Sequence, residues 1–179
     1  MLKRILIALA AIVLIFLVVV AMQPSDFRVE RTTTIAAPQA EVFAHVNDLH
    51  KWEAWSPWAK LDPAAKVAFE GPEAGQGAVM TWAGNDKVGE GKMTLVESRP
   101  SDLVKINVDF VKPFEGSVTS EFTFKPEGER TAATWAMSGH HNFFEKAMCQ
   151  VMNGTKMIGD DMDKGLAQLK SVAEAARTS

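Results

Sequence analysis

The chain opens with a run of apolar residues unlike anything that follows it. From Ile5 to Met22 no residue is charged or polar. A helix of about 20 apolar residues crosses the roughly 30 Å hydrocarbon core of a bilayer. The pattern therefore predicts a transmembrane helix over residues 5–22, preceded by a short basic tail over 1–4 and followed by a linker over 23–26.

The same run also has features of a cleavable signal peptide, with a basic start and small residues near Ala21. It exceeds the about 7 to 15 apolar residues usual in a cleaved signal, and it ends in bulky side chains from Leu17 to Val20. We therefore expect an uncleaved signal anchor, with cleavage as the alternative. Lys3 and Arg4 lie directly before the helix and favour a single-pass topology with a cytoplasmic N-terminus. The globular domain would then lie outside, in the periplasm if the cell is bacterial.

Beyond the linker, short alternating segments predict a β-sheet. The stretch 27–35 alternates apolar with polar residues and predicts a first strand. Segments rich in glycine, proline, asparagine and aspartate separate the later strands and are typical of turns. Short turns between successive strands predict an antiparallel meander. Its strands are expected over 67–71, 77–84, 87–98, 102–111, 115–126 and 130–140.

Two segments show helical spacing. The first begins near Pro38, and its apolar residues recur every three or four positions until Pro57 stops it. The second runs from Asn142 to about Ala176 and is expected to cover the sheet, with a break near Asn153 and Gly154 because glycine weakens helices. Its apolar stripe comprises Phe144, Met148, Val151, Ile158, Met162, Leu166, Leu169 and Ala173. The fold class is therefore α+β, with a curved antiparallel sheet around a long C-terminal helix, preceded by one transmembrane helix.

Three stretches of the chain resemble a known superfamily. They are D-x-x-x-W-x-x-W-S-P-W over 48–58, VGEGKMTLVES over 88–98 and KMIGDDMDKGLAQLK over 156–170. These stretches are similar to the polyketide cyclase/dehydrase-like branch of the SRPBCC superfamily, whose helix-grip domains are related to START lipid-binding and plant pathogenesis-related proteins. The resemblance covers roughly 27–176 and implies one helix-grip domain over 27–179. It also implies a cavity between sheet and C-terminal helix, and it brings no catalytic motif.

Charge and cysteine content exclude several classes of function. The net charge is −3, with 19 basic and 22 acidic residues spread without long blocks, so no basic surface for nucleic acid is expected. The single cysteine, Cys149, has no partner for an internal disulfide or a thiolate zinc site. We expect no metal and no cofactor. The sequence leaves the oligomeric state open.

The histidines do not form a recognisable catalytic group. His140 and His141 are adjacent on a predicted strand, so their side chains would point to opposite faces of the sheet. His45 and His50 lie on or near the first helix of the domain and are expected to be solvated or to cap it.

The acidic residues and glycines also have structural interpretations. Asp160 and Asp161 are expected to open the final helical stretch, where carboxylates stabilise the N-terminus. Gly89 and Gly91 do not match a phosphate loop and are expected to curve a strand. The strand carboxylates are predicted to face outward, although a buried one could act as an acid or base; they are Glu90, Glu97, Asp109 and Glu121.

Apolar side chains give the clearest functional signal. The later strands alternate toward one face, and nine methionines provide flexible walls that suit varied apolar ligands. We expect a small hydrophobic or amphipathic molecule, lipid-like or polyketide-like, to be bound without being transformed. The alternatives are a cyclase or dehydratase-type enzyme and an interaction module whose interior is filled by its own side chains. The candidate cavity-lining residues are Trp55, Trp58, Trp82, Val104, Ile106, Val108, Phe110, Phe122, Trp135, Met137, Met148, Ile158 and Met162.

Three tryptophans lie close together around Pro57, two before it and one directly after it. Trp52 and Trp55 are spaced to share one helical face, whereas Trp58 lies beyond the proline and is expected to point elsewhere. The cluster could pack the first helix and its loop against the sheet, form the pocket mouth, or contact the membrane, where tryptophan favours the interface.

Overall fold

The computed structural model describes residues 1–176, which form one antiparallel sheet and a set of helices. The strands are β1 (Asp26–Ile35), β2 (Lys66–Glu70), β3 (Val79–Ala83), β4 (Glu90–Arg99), β5 (Leu103–Lys112), β6 (Gly116–Glu127) and β7 (Arg130–His140). The helices are α1 (Leu2–Met22), α2 (Gln39–Asn47), α3 (Trp52–Trp55), α4 (Phe143–Met152) and α5 (Gly154–Ala175), with a 3-10 turn over Leu49–Lys51. The predicted helix-grip α+β fold is confirmed.

The seven strands follow the order β1-β7-β6-β5-β4-β3-β2, with every neighbouring pair antiparallel. Strands β2 to β7 form the predicted meander, and β1 returns to pair with β7 along its whole length. The register between β4 and β5 shifts at Glu90/Gly91 and again at Leu95/Glu97. Such bulges bend a strand, which places the predicted curvature at Gly91.

Helix α5 lies on one side of the sheet, here called the concave face, and is fixed along β1 by polar contacts. Near the middle of both elements, Arg31 Nε of β1 donates to Asp163 Oδ2 of α5 at 3.1 Å. Further along, Lys170 Nζ donates to the Thr34 carbonyl at 2.9 Å. Because these contacts follow β1 from its middle to its end, α5 runs parallel to that strand.

Glycine allows α5 to approach the sheet closely. A Cβ built on Gly165 would lie 2.7 Å from Trp135 Cζ3 and 3.0 Å from Pro57 Cδ, which is closer than side chains tolerate. The lack of a side chain at Gly165 therefore lets Trp135 reach the helix backbone. The loss of helix propensity at this position, about 1 kcal/mol relative to alanine, is offset by that packing.

The predicted break between the last two helices is confirmed, and it changes what α4 covers. Asn153 adopts the left-handed conformation at φ 54°, and α4 starts with a capping box between Asn142 and Glu145. The expectation that the whole apolar stripe covers the sheet holds only from Ile158 onward. Phe144 and Val151 are exposed, because the left-handed residue turns α4 away from the sheet.

The tryptophan cluster packs the helices against the sheet. Trp52 and Trp55 are buried, and their ring N–H groups donate to the carbonyls of Val46 and His45 at 2.9 and 3.0 Å. Trp58 does not point elsewhere as expected. After the turn at Ser56 and Pro57 its ring meets Trp135 edge to face at 5.7 Å, so the loop returns to the same cluster.

Trp135 connects the cluster to the sheet. It is 1% exposed, and its Nε1 donates to Ser120 Oγ at 2.8 Å. We expect Trp135→Ala to lower the free energy of unfolding by about 3 to 5 kcal/mol, through lost transfer free energy and a residual cavity. Denaturant titration of the detergent-solubilised full chain measures this change. A loss below about 1 kcal/mol would contradict the central role of the indole.

Ser120→Ala is the matched control for Trp135→Ala. It keeps the indole but removes the acceptor for Nε1, so a smaller loss of about 1 to 3 kcal/mol is expected.

Candidate functional site

The concave face is not equally covered along its length. The end of the sheet at which β1 begins, directly after α1, is here called the α1 end. It also carries the β5–β6 turn, the β3–β4 turn and the end of β7. Helix α5 packs mainly on β1, and α2 packs on β5 and β6. The helices therefore leave much of the concave face of β2 and β3 uncovered.

Two cross-strand rows of apolar residues form this less covered part. Residues directly opposite each other in neighbouring strands point to the same face, so the pairing defines each row. The outermost row comprises Val67, Trp82, Gly91 and Phe110. The second row comprises Phe69, Met80, Met93, Val108 and Val118. Together they are called the open rows.

Exposure in the open rows rises toward the β2 edge. Met93 and Val108 are buried, Met80 and Trp82 are half-buried, and on β2 the side chain of Val67 reaches 50% exposure. The next rows inward are closed and comprise Leu95, Ile106, Ser120 and Met137, then Val104, Phe122 and Trp135. The concave face is thus filled at its centre and accessible at the α1 end.

Gly91 makes room for the two large rings of the outermost row. Trp82 and Phe110 lie on either side of it, with ring centroids 6.0 Å apart and planes at 81°. A Cβ on Gly91 would lie 2.4 Å from Trp82 Cζ2, so the indole covers this glycine. The Trp82 ring N–H donates to the Val88 carbonyl at 3.0 Å. The indole is therefore fixed with its polar edge satisfied.

The residues predicted to line a cavity fall into four groups by position. Those on the open rows are Trp82, Val108 and Phe110. Those in the filled interior are Trp55, Val104, Ile106, Phe122, Trp135, Met137 and Met162. Trp58 and Ile158 are half-buried against that interior. Met148 lies apart from the others on α4, where it is 37% exposed.

Sequence reasoning missed the part of the open rows that belongs to β2, β3 and β4. Apart from Trp82, which was predicted, the apolar residues missed there are Val67, Phe69, Met80 and Met93. The alternation of apolar and polar residues correctly predicted these segments as strands, and it determines which residues lie on the same side of a strand. The side that faces the helices depends on strand register, and the short β2 and β3 segments gave no signal for it.

Polar groups near the α1 end are paired on the opposite, convex face. Glu90 accepts from Lys112 Nζ at 2.7 Å, and Asp109 accepts from Ser117 Oγ at 2.8 Å. Both carboxylates alternate with open-row residues, so the outward orientation predicted for them agrees with the strand register.

His140 and His141 take opposite sides, as predicted. His140 Nδ1 lies 2.9 Å from Asp26 Oδ1, while the His141 ring stacks on Phe27 with centroids 4.3 Å apart. Phe27 lies opposite Gly139 on the concave side. His141 is therefore the histidine nearer to the rim of that face.

His45 corrects the expectation of a solvated histidine. It lies on α2, and its Nδ1 is buried with no hydrogen-bond partner among residues 1–176. Burial lowers the pKa of the imidazole below 6.5, and the positive charge of Lys51 lowers it further, against a smaller opposing effect of Glu41. Burial therefore favours the neutral form of His45.

Two shallow clefts lie outside the open rows, and the first of them borders these rows at Phe69. One of about 340 Å³ is bounded by Leu49, His50, Phe69 and the segment Glu70 to Glu73, and the His50 ring stacks on Phe69 at 3.9 Å. The other, of about 360 Å³, lies between the start of α2 and the β6–β7 turn. Within residues 1–176, no group of three or more histidine, cysteine or carboxylate side chains is arranged to hold a metal.

Comparison with known proteins agrees with this architecture. A family model described as polyketide cyclase/dehydrase and lipid transport matches residues 26–174. No curated protein matches the sequence significantly.

Three solved structures illustrate the similarity of fold. The di-domain ARO/CYC StfQ from the steffimycin biosynthetic pathway has a TM-score of 0.63 at 12% identity, over 87% of this chain and 52% of that one. Protein MLL2253 from Mesorhizobium loti has a TM-score of 0.62 at 14% identity, over 86% of this chain and 99% of that one. The Aha1 dimer from Colwellia psychrerythraea has a TM-score of 0.60 at 13% identity, over 83% of this chain and 96% of that one. At these identities the likeness concerns the fold.

The buried imidazole of His45 predicts acid sensitivity. Its pKa is lowered in the folded state, so below about pH 6.5 the unfolded chain binds a proton that the folded chain resists. Stability should therefore fall as the pH drops through this value, and this histidine should have no effect well above it. We expect His45→Gln to flatten the dependence of the unfolding midpoint between about pH 7.5 and 5.5.

Equal slopes in the wild type and His45→Gln would show that this imidazole does not carry the acid sensitivity.

Proposed function

Because the chain belongs to the polyketide cyclase/dehydrase and lipid transport family, we propose that it binds a small hydrophobic or amphipathic molecule on the open rows without transforming it. A lipid-like or polyketide-like molecule has the apolar surface that these rows would cover. The family shows a ligand-binding type of domain, and the open rows are the part of its concave face that its own side chains leave accessible.

The observation that carries this proposal is the chemistry of the open rows. Among the described residues, neither row contains a titratable side chain, and the walls are aromatic, methionine and valine. Burial of apolar surface contributes about 25 cal/mol per Å², so a ligand that covers Trp82, Phe110 and their neighbours gains affinity without any charged contact. Methionine side chains adapt to different shapes, which suits a binder of varied apolar molecules.

Membrane anchoring is the second part of the proposal. Helix α1 has 21 residues, so it is about 32 Å long, and it is the only helix within residues 1–176 that is long and apolar enough to cross a bilayer. A signal sequence would meet the same criterion. We propose that α1 stays attached, with the N-terminus cytoplasmic and the domain outside.

With α1 in the bilayer as proposed, the short connection would keep the open rows near the membrane. Only Gln23, Pro24 and Ser25 separate α1 from β1, and a fully extended chain from Met22 to Asp26 spans at most about 14 Å. Since the open rows lie at the α1 end of the sheet, the accessible part of the concave face is the part held closest to the bilayer. An apolar ligand could then exchange with the lipid phase.

The enzymatic alternative needs an acid or base beside the ligand. The similar structure StfQ carries the description ARO/CYC, which concerns that protein. In this chain the carboxylates Glu90 and Asp109 lie on the convex face, and His141 stands at the rim. These positions favour binding over proton transfer at the centre of the open rows. The filled interior around Trp135 and Phe122 favours the other alternative, an interaction module that holds no ligand.

Ligand binding is tested first by native mass spectrometry of the detergent-solubilised full chain. We expect a co-purified small molecule, and saturable binding of added palmitate as a probe. Met80→Gln keeps the side-chain length but places an amide in the half-buried second row. Its desolvation costs roughly 1 to 3 kcal/mol, so palmitate affinity should fall by about fivefold to over a hundredfold.

The matched control for Met80→Gln is Met157→Gln, at an exposed position of α5 outside the open rows. It should keep the wild-type affinity, as should Glu90→Gln, Asp109→Asn, His140→Ala and His141→Ala. Met162 is a poorer probe because it is fully buried and its replacement would perturb folding. Equal affinity for Met80→Gln and wild type would favour the filled module. Loss of a reaction in one of the other four variants, with folding and affinity intact, would favour the enzyme.

Anchoring is tested in cells that express the full chain. The protein is expected to remain in the membrane fraction after carbonate washing, because α1 is held by the hydrocarbon core. Protease added to intact spheroplasts is expected to digest residues beyond 27. Release of a product that starts near Met22 would reveal a cleaved signal, and protection from protease would reverse the topology.

A further inference from the structure

An exposed apolar surface lies on α4 and on the neighbouring β5–β6 turn, and we infer that it inserts into the interface of the bilayer that holds α1. The inference rests on the proposed anchor and adds a second membrane contact to it. The surface, here called the α4 patch, comprises Phe114, Phe144, Met148, Val151 and Met152.

The α4 patch is continuous and strongly exposed. Phe114 at the tip of the β5–β6 turn is 66% exposed, Phe144 is 60% exposed and Val151 is 73% exposed. The rings of Phe114 and Phe144 meet at a centroid distance of 6.5 Å, so the turn and the helix form one surface. Contiguous apolar patches of this kind mark sites of interaction with protein or membrane.

Helix α4 uses its other side for packing. Lys146 is buried and its Nζ donates to the Gln23 carbonyl at 3.0 Å, while the Gln23 side chain donates to Gln150 Oε1 at 2.8 Å. At 100° per residue, Lys146 and Gln150 share one side, and Phe144 and Val151 lie almost opposite. The apolar side of α4 is therefore directed away from the rest of the protein.

The contacts of Gln23 identify the bilayer as the occupant. Gln23 follows Met22, the last residue of α1, and α4 holds it through both its backbone and its side chain. Helix α4 has 10 residues and is about 15 Å long, so the whole patch lies close to the point where the apolar run ends. When α1 spans the hydrocarbon core, that point is the interfacial region, and amphipathic helices bury their apolar side there by about 5 to 10 Å.

The same surface would orient the domain. Phe114 lies on the turn that joins β5 to β6, and β5 ends two residues after Phe110 of the outermost row. Insertion of Phe114 together with Phe144 would hold the α1 end of the sheet against the lipid. The tryptophan loop does not serve this purpose, since Trp52 and Trp55 are buried in the core.

The test measures where single spin labels lie in the full chain, reconstituted in nanodiscs of phosphatidylethanolamine and phosphatidylglycerol. Cys149 is first replaced by alanine, and single cysteines are introduced as Phe114→Cys or Val151→Cys for nitroxide labelling. We expect the ratio of oxygen accessibility to nickel-chelate accessibility to be several-fold higher there than at Glu73→Cys and Glu129→Cys, exposed controls at the far end of the sheet. Leu14→Cys reports on α1 itself.

Each pattern of accessibility has a separate meaning. If the labels at 114 and 151 are as accessible to the nickel chelate as the controls while the label at 14 is in lipid, the α4 patch does not insert and the anchor stands. If the label at 14 is also in water, the anchor fails. Protection from both reagents, with spin broadening that grows with the protein-to-lipid ratio, would assign the patch to contact with a second copy and overturn the inference.

A double variant tests whether the phenylalanines drive the insertion. In Phe114→Ser with Phe144→Ser, the label at 151 is expected to become accessible to the nickel chelate while the label at 14 stays in lipid. An unchanged label at 151 would contradict a role for these rings. Both side chains are exposed, so circular dichroism should show an unchanged fold.

Discussion

The packing of the Trp135 indole in the centre of the concave face is the contact on which the rest of the structure depends. The ring stacks on Phe122 at 4.8 Å and receives the edges of Trp55 and Trp58 at 6.0 and 5.7 Å. Aromatic pairs of this kind contribute about 0.5 to 1.5 kcal/mol each beyond the area that they bury. Because Gly165 has no side chain, α5 lies directly on the same ring. One side chain thus joins the sheet, the tryptophan loop and the C-terminal helix.

This central packing divides the concave face into two parts. The rows through Ser120 and Phe122 are closed by tryptophans, so a ligand could enter them only by displacing well-packed rings. The rows through Trp82 and Met80 extend beyond the reach of α5 and stay accessible. The opening is consequently at the α1 end, and under the proposed anchoring the three-residue connection to α1 would hold that end near the membrane. Fold and anchor therefore agree on where an apolar molecule would arrive.

The sequence predicted the parts of the molecule that periodicity determines. All the strands, the helix break at Asn153 and the opposite sides of His140 and His141 follow from spacing and from glycine or asparagine chemistry. What covers each apolar side could not be predicted in the same way. Phe144 and Val151 show the helical spacing of core residues, yet they are exposed, because the left-handed backbone at Asn153 separates α4 from the direction of α5. The open rows were only partly found, since the strands that complete them are short and their register comes from long-range pairing.

The apolar side of α4 has a physical explanation if the bilayer is counted as a packing partner. In water such a surface favours association or aggregation, so in a freely soluble domain it would be a disadvantage. A domain joined by a linker of at most about 14 Å to the proposed membrane anchor would be in a different situation, because lipid would then lie within reach of this surface. The contacts from Gln23 to Lys146 and Gln150 then orient the exposed side chains as well as restraining the linker. In this arrangement the sheet buries one apolar stripe, on α5, and the membrane would bury the other, on α4.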